Sequence, residues 1–136
     1  MQAPLPPGTV WLLTTARPDG GHRSRPVTVF SGLGASELAV LTTPSARKVA
    51  EVIADPRVTL AGPLADGWWA GEGTAVVDTE PASIAPILTE AGVAGSIPAV
   101  ALRITLVAAQ RWTVHSQDPW DNTAMDLGYP FGLFAD

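Results

Sequence analysis

Short runs of β-branched and aromatic residues, separated by turn sequences rich in glycine and proline, constrain this chain most. Such runs are typical of strands, and their number is too high for a helical bundle. One stretch between them, 44–54, has the spacing of a short amphipathic helix. A second helix is predicted over 81–90, opened by Pro81 and ended by Ala91-Gly92. The sequence therefore predicts a mainly β fold, a six- to seven-stranded antiparallel barrel with two short helices. The predicted strands are 10–15, 22–30, 37–42, 57–61, 68–77, 100–107 and 109–115.

The composition favours one domain that associates with itself. At 136 residues the chain is long enough for a buried core, and we expect a single domain over 1–136 with an extended arm at 1–8 and an irregular tail at 116–136. Only 15% of the residues are charged while 46% are hydrophobic, which leaves apolar surface to cover and predicts a homodimer.

Charge and residue usage exclude several functional classes. A net charge of −5 argues against a nucleic-acid backbone or an anionic membrane as partner. The chain has no cysteine and two distant histidines, His22 and His115, so no metal site is predicted. A histidine at a strand end is more often a surface residue than a proton donor, so no catalytic residue is assigned. Without a signal peptide or membrane span, the chain is expected to be cytoplasmic.

The stretch 42–48 reads as a strand that runs into a helix with hydroxyls and two adjacent cations at its start. Thr43 suits the N-cap, and Pro44 suits the first helical position. A helix start favours anions, so the stretch predicts a phosphate site that includes Lys48, the only lysine of the chain. The alternative is a capped surface helix whose charges are simply solvated.

The predicted second strand adds two more cations on one face, Arg23 and Arg25. If this strand pairs with the third, these arginines join Arg47 and Lys48 in one anion pocket. Arg23 could equally pair with an acidic side chain. Pro26 removes a backbone donor from the strand, which predicts a sheet edge or a bulge there.

The motifs at 25–27, 41–51, 55–58 and 73–75, with Trp112 on the last strand, together resemble the FMN-binding split barrels related to pyridoxamine 5′-phosphate oxidase. The members of the general-stress-protein-26 type are the most similar. The resemblance implies a dimer that binds FMN, or alternatively a deazaflavin or FAD, between its subunits. It implies cofactor contacts at ten positions: Arg25, Pro26, Val27, Thr28, Thr42, Thr43, Arg47, Lys48, Trp68 and Trp112.

Within that resemblance, Arg25, Arg47 and Lys48 would bind the phosphate, and Trp112 would approach the flavin from the partner subunit. Trp68 stands where the family often has a polar side chain. The substrate motif Arg-x-His of the authentic oxidase is absent, and Phe30 replaces its lysine. Pyridoxine-phosphate oxidation is therefore not expected.

Three functions remain open from the sequence. The first is a flavin-dependent oxidoreductase of unknown substrate, in which the flavin supplies the redox chemistry. The second is a flavin carrier or stress-related binding protein without turnover. The third is a small barrel that binds single-stranded nucleic acid through its tryptophans, which the acidic charge disfavours.

Overall fold

The structure is a computed structural model that describes residues 5–6, 8–31, 37–93, 98–114 and 122–125, the last four and residues 113–114 by their backbone alone. His115, at the end of the predicted last strand, and the aromatic residues of the tail lie outside this part. The described elements are β1 (Val10–Ala16), β2 (His22–Phe30), β3 (Glu37–Thr42), α1 (Arg47–Ala54), β4 (Arg57–Leu64), β5 (Gly67–Asp78), α2 (Pro81–Ala91), β6 (Val100–Val114) and β7 (Asn122–Met125).

The strands form one antiparallel sheet in the order β3-β2-β1-β4-β5-β6-β7, and β3 also pairs with β6. That extra pairing closes six strands into a barrel, with β7 added beside the end of β6. The predicted mainly β antiparallel barrel with two short helices is confirmed.

The barrel is split between β2 and β3. Their register contains only Val29 opposite Val40 and Phe30 opposite Ala39, whereas β1 pairs with β2 along seven residues. Among the described strands, residues 22–28 of β2 therefore have a partner on one side only. Pro26 lies in this segment, as its missing N–H predicts.

Two stacked tryptophans fill the centre of the barrel. Trp11 and Trp69 are each 1% exposed, and their ring centroids lie 4.8 Å apart at an angle of 19°. Glycine makes room for both rings, because a Cβ on Gly62 would lie 1.8 Å from Trp11 and one on Gly71 would lie 2.4 Å from Trp69. Neighbouring residues of a strand point to opposite faces, so only one residue of the Trp68–Trp69 pair can face inward; it is Trp69, while Trp68 is 53% exposed.

Helix α2 covers the outer face of the sheet through a second, smaller core. Ile84 and Ile87 pack with Phe30, Ala39 and Ala101. The start of β6 is consequently buried on both faces, as its unbroken apolar run predicts. The helix ends at Gly92, whose φ of 70° is the left-handed conformation expected of a helix-terminating glycine.

Helix α1 begins later than predicted. It starts at Arg47 with Ala46 as N-cap, and no side chain caps it. Residues 43–46 instead form a turn in which the Ala46 N–H donates to the Thr43 carbonyl oxygen at 3.1 Å. The assignment of Thr43 as N-cap and Pro44 as first helical residue is therefore wrong, because this turn precedes the helix.

Several strand boundaries also differ from the predictions. β4 continues to Leu64 through Pro63, because only a two-residue turn separates it from β5. The two predicted strands over 100–115 are one strand, in which a shift of register opposite Glu72 and Gly73 accommodates the break in alternation. The tail is not wholly irregular, since Asn122–Met125 pairs with the end of β6. In the part of the chain that the structure describes, no helix is both long and apolar enough to cross a bilayer.

Candidate functional site

A groove of about 710 Å³ lies beside the split between β2 and β3. Its floor is the end of β2, with Pro26, Val27, Thr28 and Phe30. The other lining residues come from the segment before β1, from β3, from the two helices and from the segment after α2: Gly8, Leu41, Lys48, Glu90, Ala91 and Val93. We refer to this surface below as the β2 groove.

Lys48 provides the positive charge of the β2 groove. It lies in the first turn of α1, and its side chain is half-buried. Burial, followed by the nearby Arg25 guanidinium, holds the pKa of Lys48 below its ordinary value of 10.5. Among the described residues, no carboxylate forms an ion pair with Lys48. An anionic group in the groove would relieve both effects.

The buried carboxylate of Glu51 forms ion pairs with two of the predicted cations. Glu51 is 5% exposed and lies one turn after Lys48 on α1. Arg23 donates its Nε–H to Oε2 at 3.0 Å, and Arg25 donates from Nη2 to Oε1 at 2.7 Å. The Thr15 hydroxyl also donates to Oε1, at 2.9 Å. These four side chains, Thr15, Arg23, Arg25 and Glu51, are called the Glu51 network below.

Arg25 is thus committed to protein partners on several sides. Besides its ion pair with Glu51, its Nη1 donates to the Thr15 hydroxyl at 2.9 Å and reaches the Leu13 carbonyl oxygen at 3.4 Å. Its side chain is 18% exposed. The sequence places Arg25 on the phosphate itself, whereas in the structure its guanidinium stands behind Lys48 and joins β1, β2 and α1.

The hydrogen bonds keep Glu51 ionised despite its burial. Burial alone would raise the pKa of this carboxyl, but donors on Arg23, Thr15 and Arg25 outweigh that effect and lower the pKa from its ordinary 4.5. Three cations and one carboxylate leave a net positive charge around the inner side of α1.

The structure brings four of the ten predicted cofactor contacts together in the β2 groove: Pro26, Val27, Thr28 and Lys48. Thr42 is half-buried at the end of β3 opposite Val100, Thr43 lies in the exposed turn, and Arg47 is exposed at the start of α1. None of these three belongs to the groove lining. The predicted single pocket of four cations is therefore two units, the Glu51 network and a groove with Lys48.

The predicted tryptophans Trp68 and Trp112 lie elsewhere in the same chain. They face each other across β5 and β6, and Trp68 is 53% exposed. Neither lines the β2 groove. A contact between Trp112 and a cofactor in this groove thus requires a second subunit, which is how the resemblance describes it.

A second groove, of about 440 Å³, lies at the other end of α1. It contains His22, Glu72 and the exposed pair of Asp55 and Arg57, whose Nη2 to Oδ2 distance is 2.8 Å. The side-chain hydrogen bonds from Arg57 lower the pKa of Asp55 to about 2. No predicted cofactor contact lies here, and no group of described residues has the arrangement of a metal site.

Sequence reasoning missed Glu51 and Glu90. Glu51 carries a signal in retrospect, because it is the only carboxylate between 38 and 54 and follows Lys48 by three residues, which places both on one side of a helix. Glu90 has no local signal. It meets the groove only because α2 packs across β3 and β6.

Several solved structures have the same fold, and one of them is named as an FMN-binding protein. A pyridoxamine 5′-phosphate oxidase-related, FMN-binding protein from Nostoc punctiforme has a TM-score of 0.61 and 15% identity, over 85% of this chain and 86% of the other. The General Stress Protein 26 from Bacillus anthracis has a TM-score of 0.62 and 18% identity, over 87% and 88%. An F420 reductase has a TM-score of 0.60 and 17% identity, over 75% and 89%.

No protein-family model matches the chain, and no curated protein is significantly similar to it. At the level of the fold, the resemblance to split barrels related to pyridoxamine 5′-phosphate oxidase is confirmed, general stress protein 26 included. At such low identity the likeness establishes the fold alone.

Proposed function

We propose that this protein binds a flavin, with FMN as the first candidate, in the β2 groove. The observation that carries the proposal is that Lys48 and the strand segment 26–28 line one groove. The resemblance assigns these residues to the phosphate and to the flavin ring, although 20 positions separate Thr28 from Lys48.

The residues present fit such a ligand in size and chemistry. A volume of about 710 Å³ lies within the 300–1,000 Å³ typical of sites for small molecules and cofactors. Phe30, Leu41 and Val93 provide apolar walls for a ring system. The Lys48 ammonium can form a charge-assisted hydrogen bond with a phosphate, which is about twice as strong as a neutral one. In this assignment Arg25 acts from behind Lys48, through its field and through the Glu51 network.

The activity we propose is that of a flavin-dependent oxidoreductase with an unknown substrate. A bound flavin supplies hydride or electron transfer, and the protein's part is to bind and orient it. Lys48 and Glu90 are the titratable side chains among the described groove residues. Phe30, which borders the groove, stands where the authentic oxidase has a lysine, and this disfavours the phosphorylated substrate of pyridoxine-phosphate oxidation.

We further propose that the working unit is a homodimer with the cofactor at the subunit interface. Pro26, Leu12, Ala61 and Ala70 lie in register across four strands, and Pro26 also lines the groove. Leu12 is 49% exposed and Trp68 is 53% exposed. A second copy that covered this apolar surface would therefore border the groove, and it could bring its own Trp112 to the cofactor.

Titration of the purified protein with FMN, riboflavin and a deazaflavin cofactor tests the proposal, with absorbance and fluorescence as readouts. We expect FMN to bind more tightly than riboflavin, because only FMN carries the phosphate. Lys48→Ala should weaken FMN binding about tenfold or more and leave riboflavin binding nearly unchanged. Arg57→Ala is the matched control, since it removes an exposed cation from the other groove.

The outcomes separate the alternatives. If the protein binds the deazaflavin but not FMN, the deazaflavin becomes the proposed cofactor and the assignment of the groove stands. Equal affinity of the wild type and Lys48→Ala for FMN would refute the phosphate assignment. If no flavin binds to the folded protein, the proposed function is wrong. Bound FMN that no nicotinamide or other reductant reduces would indicate a carrier.

A further inference from the structure

We propose that Glu51 is a positioning residue of the β2 groove: its carboxylate docks α1 onto β1 and β2 and thereby fixes Lys48 at the groove. This inference rests on the proposed function, because the group that Lys48 meets there is taken to be the phosphate of the cofactor. It assigns a role to a side chain that touches no ligand.

Helix α1 has little stability of its own. It has eight residues, no side-chain cap at its start and two cations in its first turn, where the helix dipole favours anions. Its place on the barrel therefore depends on the residues that it buries, which are Val49, Glu51 and Val52.

Of the three buried residues of α1, only Glu51 fixes the direction of the helix. Apolar contacts of Val49 and Val52 hold α1 against the core but tolerate sliding and rotation. Glu51 meets donors on two strands, with Thr15 on β1 and Arg23 and Arg25 on β2, at 2.7–3.0 Å. Hydrogen bonds have strict geometry, so these contacts allow one placement of the helix.

The placement of α1 determines the position of Lys48. Lys48 and Glu51 are three residues apart in α1 and so project from the same side of the helix. The charge of Arg25 on β2 acts on the Lys48 ammonium, and Glu90 on α2 lines the same groove. Arg47 and Glu51 are the other charged residues of its own helix. Without the Glu51 carboxylate, repulsion from Arg25 would displace Lys48 from the groove.

Simple electrostatics predicts the opposite outcome, and this makes the proposal testable. Loss of a negative charge near Lys48 should strengthen the binding of an anion if Glu51 acts only through its charge. Loss of a positioning residue should weaken it. The sign of the effect of Glu51→Gln on the affinity ratio of FMN to riboflavin therefore decides between the two.

The experiment measures that ratio in wild type, Glu51→Gln and Thr15→Val, with Thr14→Val as the matched control. The Thr14 hydroxyl pairs with Ser24 on the exposed side of the sheet, 2.7 Å away, and does not contact the network. We expect Glu51→Gln to lower the ratio about tenfold, as for one lost charge-assisted contact. Thr15→Val should lower it less, and Thr14→Val should leave it unchanged. Thr15→Val serves in place of Glu51→Gln if the latter does not fold.

A second readout does not need the cofactor. Because Lys48 is the only lysine, ¹³C-labelled lysine gives one side-chain signal whose titration reports its surroundings. If Glu51 positions Lys48, the pKa of Lys48 in Glu51→Gln returns toward its ordinary value of 10.5. If Glu51 acts only as a charge, that pKa falls further.

An unchanged or increased ratio, or a Lys48 pKa that falls further, would overturn the positioning role. Failure of the wild type to bind any flavin would instead refute the proposed function, and the lysine titration would then still decide whether Glu51 holds Lys48 in place.

Discussion

Replacement of Arg25 by alanine tests the structural reading of the cation cluster most directly. If Arg25 only bound the phosphate, as the resemblance implies, Arg25→Ala would weaken cofactor binding and leave the fold intact. The structure predicts a loss of stability without any ligand, because the guanidinium bonds to Glu51 and Thr15 across three elements.

The magnitude follows from the contacts that are lost. A hydrogen bond to a charged group contributes about 1.5–3 kcal/mol, and Glu51 keeps Arg23 and Thr15 in the variant, so the full penalty of an unpaired buried charge does not apply. We therefore expect the free energy of unfolding to fall by roughly 2–3 kcal/mol. In a chain of this size that corresponds to a decrease in Tm of roughly 6–15 °C.

Urea denaturation of the ligand-free protein, followed by tryptophan fluorescence, measures this change. Trp11 and Trp69 are buried in the core and report its unfolding. Arg57→Ala is the control: among the described residues that exposed guanidinium pairs with Asp55 alone, and its loss should change stability little. The reasoning is refuted if Arg25→Ala unfolds at the same urea concentration as the wild type with the same slope.

Three further predictions follow from the structure. Ionised Glu51 stabilises the fold fully above its unfolded pKa of about 4.5, and this contribution is lost as pH falls through the lower folded pKa. Between pH 5 and 3 the free energy of unfolding should therefore decrease more steeply in the wild type than in Glu51→Gln. Parallel curves for the two proteins would contradict this. Gly62→Ala should destabilise the protein by about 1–3 kcal/mol in urea denaturation, because its Cβ would overlap the Trp11 ring, while Gly20→Ala, with open space around it, tests for strain at a positive φ alone. Trp68→Glu should shift the mass in light scattering from dimer to monomer, and an unchanged mass would place the subunit interface elsewhere.

Local sequence patterns were sufficient for much of the fold. The strands β2 and β3 have the predicted bounds, and α2 begins at Pro81 and ends at a glycine as expected. These elements are set by alternation, turn residues and helix-ending signals, which act over a few residues. The boundaries that failed depend on neighbours. β4 extends through Pro63 because β5 pairs with it, and β6 continues past residue 107 because a shift of register at Val107 lets it pair with β5 on both sides.

For the candidate site too, the sequence and the tertiary structure determine different features. The sequence by itself predicted an anion site that includes Lys48 from the pattern at 42–48, and its resemblance to the split barrels added the segment 26–28 as a contact of the flavin ring. Only the tertiary structure decided which of them share a groove and which cations already have partners. The ion pair of Arg25 with Glu51 joins residues 26 positions apart, and burial, which makes that pair strong, is a property of the packed barrel and not of any local segment.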